Sequence, residues 1–226
     1  MSRSILFDTE TTGLDPLKGD RIVEIAALEL INDLPTGQHF HALIDPEREI
    51  PDDVVRIHGI TGAHVAGKPK FAEIVDKLLE FIGEGSLIAH NAPFDFRFVN
   101  AELARLRMAA LDGAHMIDTL ALAKTRFPGM PNSLDALCRR FDIDLSARTS
   151  HNALLDCKLL AEVYVELTGG RQRGLSLATD IAQSPITVYA HTAGARTPRL
   201  VEPTEAERAA HAAMVAKLKD AVWLTP

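Results

Sequence analysis

Apolar and polar positions alternate with two different periods along this chain. Residues 4–10 are apolar through Ile5-Leu6-Phe7 and read as a buried strand. Gly13, Asp15 and Pro16 then mark a loop. Residues 21–30 carry Ile22, Val23, Ile25, Leu28 and Leu30 and read as a second strand. Pro35-Thr36-Gly37 signals a turn, and residues 38–44 a third strand. The period then changes. Phe71, Ile74, Val75, Leu78, Leu79 and Ile82 recur at helical spacing, so residues 70–82 form an amphipathic helix stopped by Gly83 and Gly85. A short buried strand is expected at 86–89, a helix at 95–108, a last strand at 116–118 and a helix at 119–127. A further helix runs from Pro131-Asn132-Ser133 to Phe141, capped by Asn132 or Ser133. The final one spans 152–167 and ends at Gly169-Gly170. Three hairpin strands followed by strand–helix alternation imply an α/β fold, with helices packed on a mixed central sheet.

Beyond Gly170 the pattern dissolves. Residues 171–203 are rich in Gly, Ala, Thr, Ser and Pro without sustained periodicity, and read as a flexible linker. At 204–226 a helical pattern returns. Thr204 with Glu207 three residues on forms a capping-box signature, and Ala209, Ala212, Ala213 and Leu218 line one face before Trp223. The expected organisation is a domain at 1–170, the linker, and a short structured end.

Composition narrows the class. Over 226 residues the formal charge is −7, which argues against a protein that coats nucleic acid by bulk electrostatics. The charge is uneven: residues 1–170 hold 26 acidic and 17 basic side chains, and residues 171–226 hold 5 and 7. Cys138 and Cys157 are far apart and lack metal-site spacing, so reduced thiols in a cytoplasmic protein are expected. No run approaches the ~18 apolar residues of a membrane span, and no membrane association is expected. The first residues are too short and too soon acidic for a signal peptide.

Candidate chemistry lies in three acidic elements. In Phe7-Asp8-Thr9-Glu10-Thr11-Thr12-Gly13, Asp8 and Glu10 share one face of a strand, an unfavourable pairing unless a cation lies between them. The glycine and small polar residues would let backbone approach a ligand. In His90-Asn91-Ala92-Pro93-Phe94-Asp95, Asp95 opens a helix just beyond a buried strand, where α/β folds bind ligands. A helix N-cap is its alternative role. Asp156 sits among Ala153, Leu154, Leu155, Leu159 and Leu160, and an acid there is costly unless paired or metal-bound. His151 lies five residues earlier, about 140° around a helix, so it reaches the same site only from a loop or mobile first turn. Taken singly, Asp8 and Glu10 could be exposed strand-end acids and His151 an exposed histidine. Four carboxylates without a cysteine or histidine cluster favour two hard divalent cations, Mg²⁺ or Mn²⁺, over zinc. Two such ions suit phosphodiester hydrolysis, and a histidine titrating near neutrality suits a base.

In order and spread, these segments resemble the three motifs of the DEDDh family, nucleases that hydrolyse nucleic acid from the 3′ end on an RNase H-like fold. The resemblance implies that Asp8, Glu10 and Asp156 ligate metal directly, with Asp8 bridging both ions. It implies a water-mediated role for Asp95 and a general-base role for His151, where a tyrosine would mark a sister group. Pro35-Thr36-Gly37-Gln38-His39-Phe40-His41, Ile57-His58-Gly59-Ile60, Phe127-Pro128-Gly129, Asn132-Ser133-Leu134-Asp135-Ala136-Leu137-Cys138 and Leu160-Ala161-Glu162-Val163-Tyr164 resemble the epsilon branch of that family, the proofreading subunits of bacterial DNA polymerase III. That likeness spans the 1–170 domain and implies substrate contacts from Thr9, Asp53, His58, Asn91 and Phe94. At Asp53 the family usually has glutamate. Gln172-Arg173-Gly174-Leu175-Ser176-Leu177 resembles a clamp-binding peptide, implying that Gln172, Leu175 and Leu177 engage the beta sliding clamp. The end of the chain resembles the segment that docks on the polymerase alpha subunit, with Trp223 as anchor.

The activity implied is a 3′→5′ proofreading exonuclease releasing nucleoside 5′-monophosphates from single-stranded or mispaired DNA ends. An RNA-processing or repair enzyme of the family is the alternative, as is a non-catalytic adaptor between clamp and polymerase. Retention of all four carboxylates and His151 disfavours the adaptor, and the tail favours replication.

Overall fold

Strand β1 (Arg3–Thr11), β2 (Ile22–Ile31) and β3 (Leu34–Leu43) pair as an antiparallel meander in a computed structural model describing residues 2–148, 150–169 and 202–218. Helices α1 (Asp52–His58), α2 (Gly62–Val65) and α3 (Phe71–Ile82) follow. Strand β4 (Ser86–Ala89) then pairs parallel to β1 and leads into α4 (Ala92–Arg105). Strand β5 (Met116–Asp118) pairs parallel to β4 and leads into α5 (Thr119–Arg126), α6 (Leu134–Arg140) and α7 (Ala153–Leu167). The strand order is β3-β2-β1-β4-β5, so the sheet is mixed as the element order implies.

Strand parity sorts the core. Odd positions of β1 and β2, among them Ile5, Phe7, Ile25 and Ala27, pack with Phe71 and Leu78 of α3 and with Phe98 and Leu103 of α4. Even positions, among them Leu6, Ala26, Leu28 and Leu30, pack with Cys157, Leu160 and Tyr164 of α7. Both faces are therefore covered, which is why these two strands read as nearly continuous apolar runs. Cys138 and Cys157 are buried thiols, outside any disulfide.

Element boundaries shift from the sequence expectation for local reasons. The β2–β3 reversal is made by Asn32 (φ 52°) and Asp33 (φ 64°), the positive angles a two-residue hairpin turn requires. Pro35-Thr36-Gly37, expected as the turn, lies inside β3, where the ladder slips register opposite Leu28 and Leu30. An edge strand tolerates that proline because its missing N–H need not reach a neighbour. Helices α1 and α2 escape the periodicity reading because seven and four residues are too few to display it. Helix α1 is delimited instead by its ends: Asp52 and Asp53 in the first turn, and Gly59 at φ 76° after the last. Helix α4 begins three residues before its expected start at Asp95.

The chain divides into two units, Met1–Ser176 and Leu177–Pro226. In the second, α8 (Glu205–Val215) starts at the expected capping box: Thr204 Oγ1 accepts from Glu207 N–H (3.3 Å), and Glu207 Oε2 accepts from Thr204 N–H (2.7 Å). Leu218 lies past the end of this helix. The clamp-like peptide 172–177, most of the linker and Trp223 lie outside the described residues. Among the described residues no helix is long and apolar enough to cross a membrane.

Candidate active site

Strands β1 and β4 run parallel, so their C-terminal ends lie at the same edge of the sheet, and α4 starts directly beyond β4. Asp8 and Glu10 project from the even face of β1, the face covered by α7. Thr9 points the other way, toward α4. Its backbone N–H and its hydroxyl both donate to Asp95 Oδ1, at 3.0 and 2.7 Å. Asp95 is buried in the first turn of α4 and is thus fixed by the strand that carries Asp8 and Glu10.

Asp95 is not the N-cap. Asn91 holds that position in the left-handed region (φ 70°), with its N–H bonded to Asp118 Oδ1 at 3.0 Å. Asp118 also caps α5 by accepting from Leu120 N–H, so one carboxylate ties two helix starts to the sheet.

The opposite wall is the N-terminus of α7. Asn152 caps it, accepting from Leu155 N–H at 3.0 Å. Asp156 follows one turn later and is buried. His151 precedes the cap, so it belongs to the loop, with its side chain 50% exposed. From there its Nδ1 comes within 3.5 Å of Asp156 Oδ2. Ligand atoms of Glu10, His151 and Asp156 lie within 4.8 Å of one another.

The acids are electrostatically strained. Burial pushes Glu10 up to about 8, with Asp156, Glu24 and Asp95 adding and His151 opposing. Burial likewise raises Asp95 to about 7 against the hydrogen bonds from Thr9. Asp8 is held well above the usual carboxylate range by desolvation and then by Asp95, Glu10, Asp156 and Glu24. Asp156 behaves differently. Burial would raise it, but hydrogen bonds from Arg148 and His151 hold it below its ordinary value. His151 is raised, chiefly by its hydrogen bond to Asp156, against burial and Arg148. Three acids that resist joint ionisation, Glu10 and Asp95 buried and Asp8 partly so, offer hard oxygen donors that fit divalent cations. Asp8, Glu10, Asp95 and Asp156 are the residues that would hold them.

Beside the acids opens a cleft of about 540 Å³, lined among others by Thr9, Glu10, Asp53, Ile57, His58 and Phe94. His58 is buried, and burial lowers its pKa. Its Nδ1 accepts from Ile60 N–H (2.9 Å), and Nε2 is left near the Thr11 backbone without a well-formed hydrogen bond. Phe94 stands half-buried against Phe98, ring centroids 4.9 Å apart. Asp53 is exposed in the first turn of α1. Asn91 is exposed and is not among the lining residues. Gly13 lines the same cleft and is also required by its own loop. A Cβ there would lie 2.3 Å from the Asp20 carboxylate, so its smallness is needed for the loop's own packing.

Two charged residues at this site carry no sequence signal strong enough to single them out. Glu24 sits in an apolar strand directly opposite Glu10 and is almost fully buried. It accepts from Asn152 Nδ2 (3.0 Å) and Ala153 N–H (3.0 Å), and His41 Nε2 lies 2.7 Å from it. It thereby seats the start of α7 on β2. Its lone acidic letter within Ile22-Val23-Glu24-Ile25-Ala26 is the available hint. The other residue is Arg148, whose guanidinium grips Asp156.

Residues 5–164 match the exonuclease family (RNase_T). The DNA polymerase III subunit epsilon of Rickettsia felis is 54% identical over 178 residues, 77% of this chain and 78% of that protein. Its Rickettsia conorii counterpart is 45% identical over 221 residues, 96% of each. The Escherichia coli K12 subunit is 39% identical over 224 residues, 94% of this chain and 92% of that protein. Among solved structures, exonuclease X in complex with 5′-overhanging duplex DNA superposes with a TM-score of 0.58 at 30% identity, covering 74% of this chain and 91% of that one. The nuclease domain of 3′hExo, a DEDDh family member, superposes with a TM-score of 0.62 at 19% identity, covering 76% and 95%, and shares the fold. The chain belongs to the exonuclease family, within its DNA polymerase III epsilon-subunit branch.

Proposed function

We propose that this chain is a metal-dependent 3′→5′ proofreading exonuclease that hydrolyses single-stranded or mispaired DNA 3′ ends to nucleoside 5′-monophosphates. The observation that carries the reading is the cluster of Glu10, His151 and Asp156, whose ligand atoms lie within 4.8 Å of one another, with Asp8 and Asp95 electrostatically coupled to it beside an open cleft. Asp8, Glu10 and Asp156 would hold two divalent cations, Mg²⁺ or Mn²⁺, with Asp95 fixed by Thr9 in support. When bound, such ions polarise the phosphodiester and offset charge on the attacking and leaving oxygens. His151 accepts the proton of the attacking water through a ring nitrogen, which its exposed loop position allows. Asp53, His58 and Phe94 are placed to meet the terminal nucleotide, with Phe94 offering a face for stacking. An unpaired end enters a cleft of this kind at less cost than a paired one, which supplies mismatch selectivity.

We infer further that the tail tethers the domain. Gln172, Leu175 and Leu177 would engage the beta sliding clamp, and Trp223 the polymerase alpha subunit. The near-full-length match to the Rickettsia conorii subunit supports this, since likeness extends past residue 170. Two anchors on a linker raise the local concentration of the exonuclease at the primer end without adding chemistry.

The test is the double variant D8A/E10A. Mononucleotide release in Mg²⁺ should disappear while the circular dichroism spectrum stays native. Release at the wild-type rate would refute the assignment of these acids.

A further inference from the structure

Arg148 makes four hydrogen bonds from a guanidinium whose side chain is only 8% exposed. Its Nε donates to Asp156 Oδ1 (2.6 Å) and its Nη2 to Asp156 Oδ2 (2.7 Å). The same Nη2 lies 2.9 Å from His151 Nδ1. Its Nη1 donates to Asp135 Oδ1 on α6, at 2.6 Å. The fork thus takes up both oxygens of Asp156, the geometry that gives bidentate arginine–carboxylate pairs their strength. It also takes the Nδ1 lone pair of His151, because a guanidinium nitrogen has only protons to offer. The longer 3.5 Å contact from Nδ1 to Asp156 requires that nitrogen to donate instead, so the two contacts compete.

This arrangement conflicts with the function proposed above, on which the following inference rests. A Mg²⁺ ion needs carboxylate oxygens at about 2.0–2.1 Å in near-octahedral geometry. Both Asp156 oxygens already face a full positive charge at hydrogen-bond distance. Arginine cannot lose its proton to make room, so it must move. Asp135 offers somewhere to go. Its side chain is 38% exposed and already holds one arm of the guanidinium.

We propose that Arg148 is a displaceable internal counter-cation, which holds Asp156 and the Nδ1 of His151 until a divalent ion drives it back onto Asp135. Because a single nitrogen, Nη2, bridges Asp156 and His151, loading of the ion and release of the histidine are one event. In the metal-free protein Arg148 offsets part of the repulsion within the acid cluster and keeps the base occupied. Arg148 is therefore a positioning residue that acts through Asp156 and His151.

The experiment uses the full chain and Mn²⁺, with free Mn²⁺ read by electron paramagnetic resonance at fixed pH. Wild-type protein that binds no Mn²⁺ would overturn the metal reading itself. Given wild-type binding, R148Q should bind Mn²⁺ about tenfold more tightly or better, the scale of one lost charge-assisted pair. It should also melt lower than wild type in chelator. Equal or weaker Mn²⁺ binding by R148Q would overturn the proposal and make Arg148 a scaffold for the metal ligands. A second measurement needs no variant. In a Mg²⁺ titration of wild-type protein followed by ¹⁵N NMR, the Arg148 Nε–H and the His151 ring nitrogens should shift with a common midpoint. An Arg148 signal unmoved at saturating Mg²⁺ would show the clamp intact and refute displacement.

Discussion

Replacing Glu10 by glutamine should stabilise the metal-free protein, and the gain should grow with pH. Glu10 is raised from the usual 4.5 to about 8 by burial among other acids. The folded state therefore holds a proton that the unfolded chain releases near 4.5. The stability linked to that proton is fully present below 4.5 and is lost as pH rises toward 8. Converted at 1.36 kcal/mol per pH unit, ionised Glu10 costs the fold on the order of 5 kcal/mol at pH 9. Glutamine carries no such charge. In EDTA, E10Q should then melt roughly 10–20 °C above wild type at pH 9, given about 2–4 °C per kcal/mol for a chain of this size. The gap should close toward pH 5. Thermal unfolding by circular dichroism at pH 5, 7 and 9 measures it. Saturating Mg²⁺ should narrow the gap at pH 9, because it offsets the charge in wild type. A gap independent of pH, or an E10Q that is less stable at pH 9, would refute the picture of a Glu10 whose charge is under-compensated in the fold.

Other substitutions probe separate parts of the site. H151Q should lower kcat by about 10²–10⁴, the usual worth of a positioned base, while Mn²⁺ binding by electron paramagnetic resonance persists. G13A drives a methyl into the Asp20 carboxylate and should cost about 1–3 kcal/mol in urea denaturation, as overpacking does. E24Q gives up one of the acceptors that seat α7 and should cost about 1–3 kcal/mol. Amide exchange at Ala153 should accelerate with it, and unchanged exchange would remove Glu24 from the account.

The features legible in the sequence were those with a period or a cap. Reading residues 4–10 as a strand already placed Asp8 and Glu10, two apart, on one face, and the fold puts that face beneath α7. The 140° offset of His151 from Asp156 required either a loop or a mobile first turn, and it lies in the loop ahead of Asn152. Thr204 and Glu207 marked the start of α8. What escaped notice depends on contacts distant in sequence. Glu24 and Arg148 gain meaning only when β2, α6 and α7 meet, and neither residue type is unusual where it stands. The reversal at Asn32-Asp33 lost to Pro35-Thr36-Gly37 because proline and glycine are louder turn signals than two residues able to adopt positive φ. The steric requirement at Gly13 comes from a side chain seven residues away, invisible to any local pattern.

The most direct measurement is end-labelled DNA digestion with product identification, comparing a mispaired and a matched 3′ terminus on the same duplex. The prediction is stepwise release of nucleoside 5′-monophosphates from the 3′ end, faster from the mispaired terminus and abolished by EDTA. Release from the 5′ end, internal cleavage, or digestion that survives the chelator would contradict it.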